Sequence, residues 1–318
     1  MNFQNLETAL SSALERKRPL LEAFEAVRVL NASASGVPRL VLELYGAHAL
    51  FYDYGSGLDE ALLASAEGWR KLHSWESVSR VDRTLAGDAG RAETALIAGA
   101  APERLNVREG ALRFLVEPQH PRNVGLFLDT RELRRDLAAR ARGARVLNLF
   151  AYTGSLGLAA LAGGAASVVQ VDISARYLEW GRENLRASGL PEEACKFTRM
   201  DSERYLDWAL KKGLEFDHVI LDPPVFSRFE GKVFRFADDY FRLAGKCLAL
   251  LAPEGALHAV TNYSAISPEE FSRGLLDAAA RAGRDASVHP IALPADFEVE
   301  DPAFRPEGNA LMARLQTR

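Results

Sequence analysis

The chain has 318 residues, 48% of them hydrophobic and 26% charged, which is enough to bury a real core and excludes wholesale disorder. Its 39 Lys and Arg against 43 Asp and Glu give a net charge of −4, so a strongly basic nucleic-acid coat is excluded, although a local basic surface is not. The two cysteines, Cys195 and Cys247, exclude a disulfide framework and any Cys-based zinc or iron–sulfur site.

From the N-terminus, Leu6, Leu10, Leu14, Leu20, Leu21 and Phe24 carry helical spacing over 6–27, interrupted at Pro19. Charges spread through this stretch leave no secretory signal, and no run approaches ~18 uncharged apolar residues. A cytoplasmic chain without a membrane span is expected. Arg28 to Leu30, Leu40 to Leu44 and His48 to Tyr54 read as strands, and Leu58 to Leu72 as a helix. LNVREGALRFLVEP and GLFLDT then predict the two arms of a hairpin around Pro118, His120 and Pro121. From Arg145 strands and helices alternate: RVLNLF, SVVQVD, CKFTRMD, FDHVILD and GALHAVT are each followed by a helical run. DASVHPIAL and ALMARLQ supply a terminal antiparallel pair. The reading is an α/β chain, a small α/β domain over 1–112 preceding a domain over 113–318 built on five parallel strands and an edge hairpin.

Open parallel sheets bind ligands outside the carboxyl ends of their strands, so chemistry is sought there. The first strand runs into Asn148, Phe150, Tyr152, Thr153 and Gly154. This is not GxGxxG and lacks the glycines that let a pyrophosphate reach a helix N-terminus, which counts against a dinucleotide oxidoreductase. The second strand ends in Asp172, able to accept hydrogen bonds from two ribose hydroxyls. The third ends in Asp201, able to accept from an adenine amino group. A lone Asp at a strand end also serves as a helix N-cap. Two in succession after a glycine turn suit a cofactor with adenosine and no phosphate, S-adenosylmethionine.

The fourth strand ends in Asp222-Pro223-Pro224-Val225-Phe226. The prolines fix φ and remove two donors, and Phe226 offers a flat face on which a planar base can stack. Asp222 and the Pro223 carbonyl can hold an amino group or ring nitrogen in line with a sulfonium methyl, a proximity effect. A pyrimidine C5 carbon would first need a thiolate adding to the ring. Cys195 lies at the wrong end of its strand and Cys247 inside an apolar helix, so both read as core residues.

These residues are familiar. GALRFLVEP, GLFLDTRELRRDLA, VLNLFAYTGSLGLAALAGGA, VDISARYLEWGRENLRASGL and DPPVFSR, spread over about 109–265, resemble the large-subunit ribosomal-RNA methyltransferase group that includes the cytosine-C5 enzyme I and the guanine-N7 enzyme K. The run from Asp172 to Leu190 looks closest to the guanine-N7 member. The resemblance implies a Rossmann-like class I methyltransferase sheet. It implies that Phe150, Tyr152, Thr153 and Gly154 form the cofactor loop, with Asp172 on the ribose, Ile173 on the adenine face and Asp201 on its amine. Asp129 and Arg131 would approach the methionine end, Arg131 pairing with its carboxylate, unless it forms a surface ion pair with Glu132 or Asp136. Asp222, Pro223 and Phe226 would frame the acceptor. Where C5 members carry a catalytic cysteine, this chain reads Thr261-Asn262-Tyr263-Ser264. Those members also begin with an RNA-binding PUA domain, for which residues 1–25, read as helix, leave no room.

Residues 103–145 hold ten arginines, no lysine and six acids, a local net of +4. Arg122 in this stretch, and Arg228 and Lys232 just past DPPVF, are candidate phosphate contacts; the alternative is a salt-bridged surface. The six histidines show no metal-ligand spacing, and no metal is expected. The reading is an S-adenosylmethionine-dependent RNA methyltransferase acting on a base nitrogen, a guanine of large-subunit rRNA, without a covalent intermediate. The alternatives are a methyltransferase for a small molecule or protein, and a non-catalytic RNA-binding assembly factor.

Overall fold

The computed structural model describes residues 3–31, 39–57, 63–84, 93–120, 123–229, 232–297 and 310–318. It divides into two units, one of residues 1–128 with 294–307, the other of residues 129–293 with 308–318.

In the first unit β1 (Ala26–Asn31), β2 (Leu40–Tyr45), β3 (His48–Asp53), β4 (Ser77–Asp82) and β5 (Glu93–Gly99) form one sheet in that order. Only the β3–β4 pair is parallel, and helix Ala66–Leu72 lies on the crossover that parallel pairing requires. The predicted break at Pro19 is absent: helix Phe3–Ala23 runs through it. Proline removes one helical donor, and burial of Leu6, Leu10 and Ala13 against the sheet offsets that loss. Arg28, buried at the start of β1, holds an island of polarity. Its Nε and Nη2 donate to Glu43 Oε1 at 3.0 and 2.7 Å, and its guanidinium lies 4.0 Å from the Phe297 ring centroid. Its main-chain N–H donates to Asp296 Oδ2 at 3.0 Å. This anchorage draws residues 294–297 into the first unit, a tertiary effect that no sequence period announces.

The hairpin differs from its prediction. β6 (Leu105–Glu109) and β7 (Leu112–Val116) both lie within LNVREGALRFLVEP and turn at Gly110, whose φ is +59°. GLFLDT instead ends in the 3-10 turn Leu128–Thr130. Glycine at a left-handed position closes the shorter loop, so the second arm is unnecessary. A domain cut between 112 and 113 would pass through this hairpin.

The second unit carries a seven-stranded sheet. Its strands are β8 (Arg145–Leu149), β9 (Ser167–Asp172), β10 (Cys195–Arg199), β11 (Phe216–Leu221), β14 (Leu251–Thr261), β15 (Ala286–Ile291) and β16 (Leu311–Thr317). The spatial order is β10-β9-β8-β11-β14-β16-β15. The first five are parallel to one another and the last two are antiparallel, the architecture the alternation predicted. Strand order reverses between β8 and β11, which makes their carboxyl ends the switch point. A further pair, β12 (Phe226–Phe229) with β13 (Lys232–Arg235), projects after β11; the sequence reading did not foresee it.

Alternate residues face opposite sides of this sheet. Leu147, Leu149, Val171, Val219, Leu221, Leu257, Ala259, Ala313 and Leu315 form one apolar face, packed with Tyr240, Leu243 and Phe271 of the covering helices. The other face carries a buried polar row in register: Gln170 opposite Asn148, and His258 opposite Arg314.

Candidate functional site at the switch point

The loop after β8 turns sharply because three of its residues take left-handed backbone angles: Phe150 at φ +55°, Tyr152 at +51° and Gly154 at +81°. For the two aromatic residues this is strained, and such strain persists only where surroundings impose it. They do so by hydrogen bonds. The Phe150 N–H donates to Ser202 Oγ at 3.2 Å, and the Ala151 N–H to Val171 O at 2.9 Å. The Tyr152 N–H donates to Asp172 Oδ2 at 2.9 Å. Buried Thr153 accepts through its carbonyl from Asn184 Nδ2 at 3.1 Å. The loop and the β9 end are thus one construction.

Asp172 sits at the end of β9, and its other oxygen accepts the Ser174 N–H at 2.8 Å. Burial pushes its carboxyl above the usual range, against the backbone N–H bonds from Ser174, Tyr152 and Ile173. A carboxylate has about four lone-pair sites, so three N–H donors leave capacity for one further donor such as a hydroxyl. Ile173 follows directly and is half-buried. Asp201 caps helix Ser202–Lys211, its Oδ1 accepting the Arg204 N–H at 2.9 Å. The cap reading of that residue is therefore realised, on one of its two oxygens.

Asp222 follows β11, the neighbour of β8. Burial first, and then the charge of Asp129, push its carboxyl up to about 7. The fold thus brings Asp129 and Asp222 together from positions far apart in the chain. Asp129 is buried and its Oδ2 accepts the Ala310 N–H at 3.3 Å. Arg131 is buried too, at 1% exposure, which removes the surface ion-pair reading; Glu132 pairs with Arg135 and Asp136 with Arg140 instead. Pro223 is buried and Phe226, opening β12, is 52% exposed, a flat apolar face beside the site. Around it are aromatic contacts: Phe150 with Phe234 at 6.2 Å, and Phe236 stacked on Tyr263 at 4.7 Å between centroids.

No thiol joins this cluster. Cys195 pairs with Val168, four residues and about 13 Å before Asp172 along the neighbouring strand. Burial pushes its thiol up to about 12. Cys247 is fully buried in helix Phe236–Ala249, and burial raises its thiol strongly. Thr261 to Ser264 close the adjacent strand end, where Tyr263 N–H donates to Thr261 Oγ1 at 3.1 Å.

In the arginine-rich stretch the salt-bridged alternative is realised at several positions. Arg104 pairs with Glu117, Arg108 with Glu25, and Arg145 with Asp217, while Arg134 is buried and donates to Thr130. Arg122 lies outside the described residues, as do the side chains of Arg228 and Lys232. Among the described residues no group of three or more His, Cys, Asp or Glu side chains could hold a metal ion, and no helix is long and apolar enough to cross a membrane.

The sequence reading named Asn148 without a role and missed Gln170, Asn184 and Ser202 behind the loop, all buried. A signal was present. RVLNLF and SVVQVD each place one amide in an otherwise apolar central strand, at positions that pair in register. Asn148 Oδ1 is buried with no hydrogen-bond partner, an arrangement that costs about 1–3 kcal/mol.

A family model described as S-adenosylmethionine-dependent methyltransferase matches residues 81–312. Ribosomal RNA large subunit methyltransferase I of Aeromonas salmonicida is 30% identical over 284 residues, 88% of this chain and 72% of the relative. Ribosomal RNA large subunit methyltransferase K/L of Chromohalobacter salexigens is 40% identical over 184 residues, 57% of this chain and 24% of the relative. Among solved structures, SMU.776 complexed with SAH matches 99% of this chain and 82% of its own with a TM-score of 0.86, at 23% identity, a likeness of fold. The chain belongs to the S-adenosylmethionine-dependent methyltransferase family. It is an enzyme whose cofactor is S-adenosylmethionine, and ribosomal RNA large subunit methyltransferases are its relatives.

Proposed function

We propose that the enzyme methylates a guanine nitrogen of large-subunit ribosomal RNA directly, without a covalent bond to the protein. The supporting observation is the composition of the switch point. A half-buried carboxyl group, Asp222, and an exposed ring, Phe226, stand at the end of β11, and both cysteines are buried away from it. A base nitrogen carries its own lone pair, so positioning suffices; a cytosine C5 would need a thiolate that this site lacks. The 40% identity to a K/L relative over residues that span about half of this chain favours the same acceptor class.

In this reading Asp172 holds the cofactor ribose, Asp201 accepts from the adenine amine through its remaining oxygen, and Ile173 covers the adenine face. Phe150, Tyr152, Thr153 and Gly154 wrap the cofactor, with Asp129 and Arg131 toward its methionine end. When bound, the cofactor supplies an electrophilic methyl group. Phe226 stacks on the base, and Asp222 with the Pro223 carbonyl turns its nitrogen toward that methyl. Arg122, Arg228 and Lys232 hold flanking phosphates of an unpaired nucleotide. The setting is the cytoplasm.

The test compares modified nucleosides by mass spectrometry in rRNA and tRNA from wild-type and deletion strains. A methylguanosine missing from large-subunit rRNA alone is the expected result. Unchanged rRNA nucleosides, with label passing from the cofactor to a small molecule or protein, would replace this reading by the non-RNA alternative.

A further inference from the structure

Behind the loop lies a chain of amides with a direction. Asn148 Nδ2 donates to Gln170 Oε1 at 2.7 Å, and Gln170 Nε2 donates to the Gly154 carbonyl at 3.1 Å. The Gly154 carbonyl can only accept, and it also takes the Leu158 N–H at 2.9 Å. Gln170 must therefore turn its donor end to the loop and its acceptor end to Asn148. Asn148 must in turn offer N–H rather than oxygen, although this leaves its own oxygen buried without a partner. Reversing either amide would set two oxygens face to face. The packing is as specific as the bonding: a Cβ on Gly157 would come within 2.5 Å of Gln170 Nε2, and one on Gly154 within 3.0 Å. Both amides are fully buried, at 0% and 1% exposure, and the Gln170 bond to the loop is the one to Gly154.

We propose that Gln170, oriented by Asn148, is a positioning residue for S-adenosylmethionine. Its N–H fixes the carbonyl of Gly154, where the backbone is left-handed, and so holds the strained Phe150–Gly154 turn in the form that meets the cofactor. The proposal rests on the reading of this turn as the cofactor loop.

The experiment is calorimetric titration of the purified full chain with S-adenosylmethionine. Gln170→Met keeps the volume and removes both bonds, together with the hydrogen bond between Gln170 and the Cys195 thiol; the expected result is a dissociation constant raised ten-fold or more. Leu257→Ala, which empties volume on the apolar face, is the stability control: it lowers the melting temperature and leaves the dissociation constant within two-fold of wild type. Gln170→Glu supplies a second readout, and decides the matter should Gln170→Met not fold. Its protonated carboxyl can still donate to Gly154, whereas the ionised form offers only acceptors. Binding by this variant is expected to weaken as pH rises from 5.5 to 8, with wild-type binding unchanged. Wild-type affinity in Gln170→Met, equal losses in Gln170→Met and Leu257→Ala, or pH-independent binding by Gln170→Glu would each overturn the proposal. Asp172→Ala separates the two layers: retained binding there removes the loop reading itself, while lost binding there beside intact Gln170→Met removes only the role of Gln170.

Discussion

The two faces of the seven-stranded sheet are built on different principles. On one, nine aliphatic side chains from five strands meet the covering helices, where the Tyr240 hydroxyl donates to the Val260 carbonyl at 3.0 Å, so that face contributes stability and little direction. On the other, buried polar groups form a network whose partners set geometry. Gln170 and Asn148 lead to the Phe150–Gly154 turn. Farther along, His218 Nδ1 and His258 Nε2 stand 3.1 Å apart, and Asp136 is shared by Arg140 at 2.8 Å and Arg314 at 3.5 Å. A face that only had to be stable would dispense with these groups, since replacing buried polar networks by apolar ones is often neutral or stabilising. The difference locates positional information on the polar face and at the strand ends.

Substitutions at the strand ends should cost function rather than stability. Asp172→Ala removes an acceptor of charge-assisted bonds, and S-adenosylmethionine binding is expected to fall at least about 100-fold by calorimetry. Binding within a few-fold of wild type would take Asp172 out of the site. Asp222→Asn should spare cofactor binding and lower methyl transfer about 100-fold. It should also stabilise the chain. Asp222 holds its proton up to about 7 in the folded state, above the unfolded value, so its contribution favours folding at low pH and is lost as pH rises toward and past 7. Removing that charge should raise the melting temperature at pH 8 by about 2–6 °C. A lower melting temperature would mean that the carboxylate is structural.

The apolar face should behave in the opposite way. Leu257→Ala is expected to cost about 2–5 kcal/mol of stability in denaturant melts while transfer by the folded enzyme is kept. The histidine pair gives the smallest effect. Burial holds both imidazoles below their ordinary value, so the unfolded chain takes up protons first as pH falls below about 6.5. Stability present above that pH is then lost progressively as pH falls below it. His258→Gln should flatten this slope in thermal melts, and an unaltered slope would assign it to other groups.

Much of the second unit was legible because its signals are local. The βαβ alternation fixed the five parallel strands, and their carboxyl ends pointed to Asp172, Asp201 and Asp222. What escaped depends on tertiary context. Residues 294–297 join the first unit through the Arg28 network, the turn at Gly110 shortened a hairpin, and β12–β13 follows a proline pair that reads as a loop. The arginines of 103–145 illustrate the same limit. Composition counts their charge, but burial of Arg131 and Arg134 and the ion pairs of Arg104, Arg108, Arg135, Arg140 and Arg145 decide how much of it is available.

The most direct test of direct transfer to a base nitrogen uses the doubly substituted Cys195→Ala, Cys247→Ala enzyme with unmodified large-subunit rRNA and methyl-labelled S-adenosylmethionine, followed by nucleoside analysis. Label in methylguanosine, at a rate within about two-fold of wild type, is the expected result. Label in 5-methylcytidine, or transfer that disappears with the thiols, would contradict it.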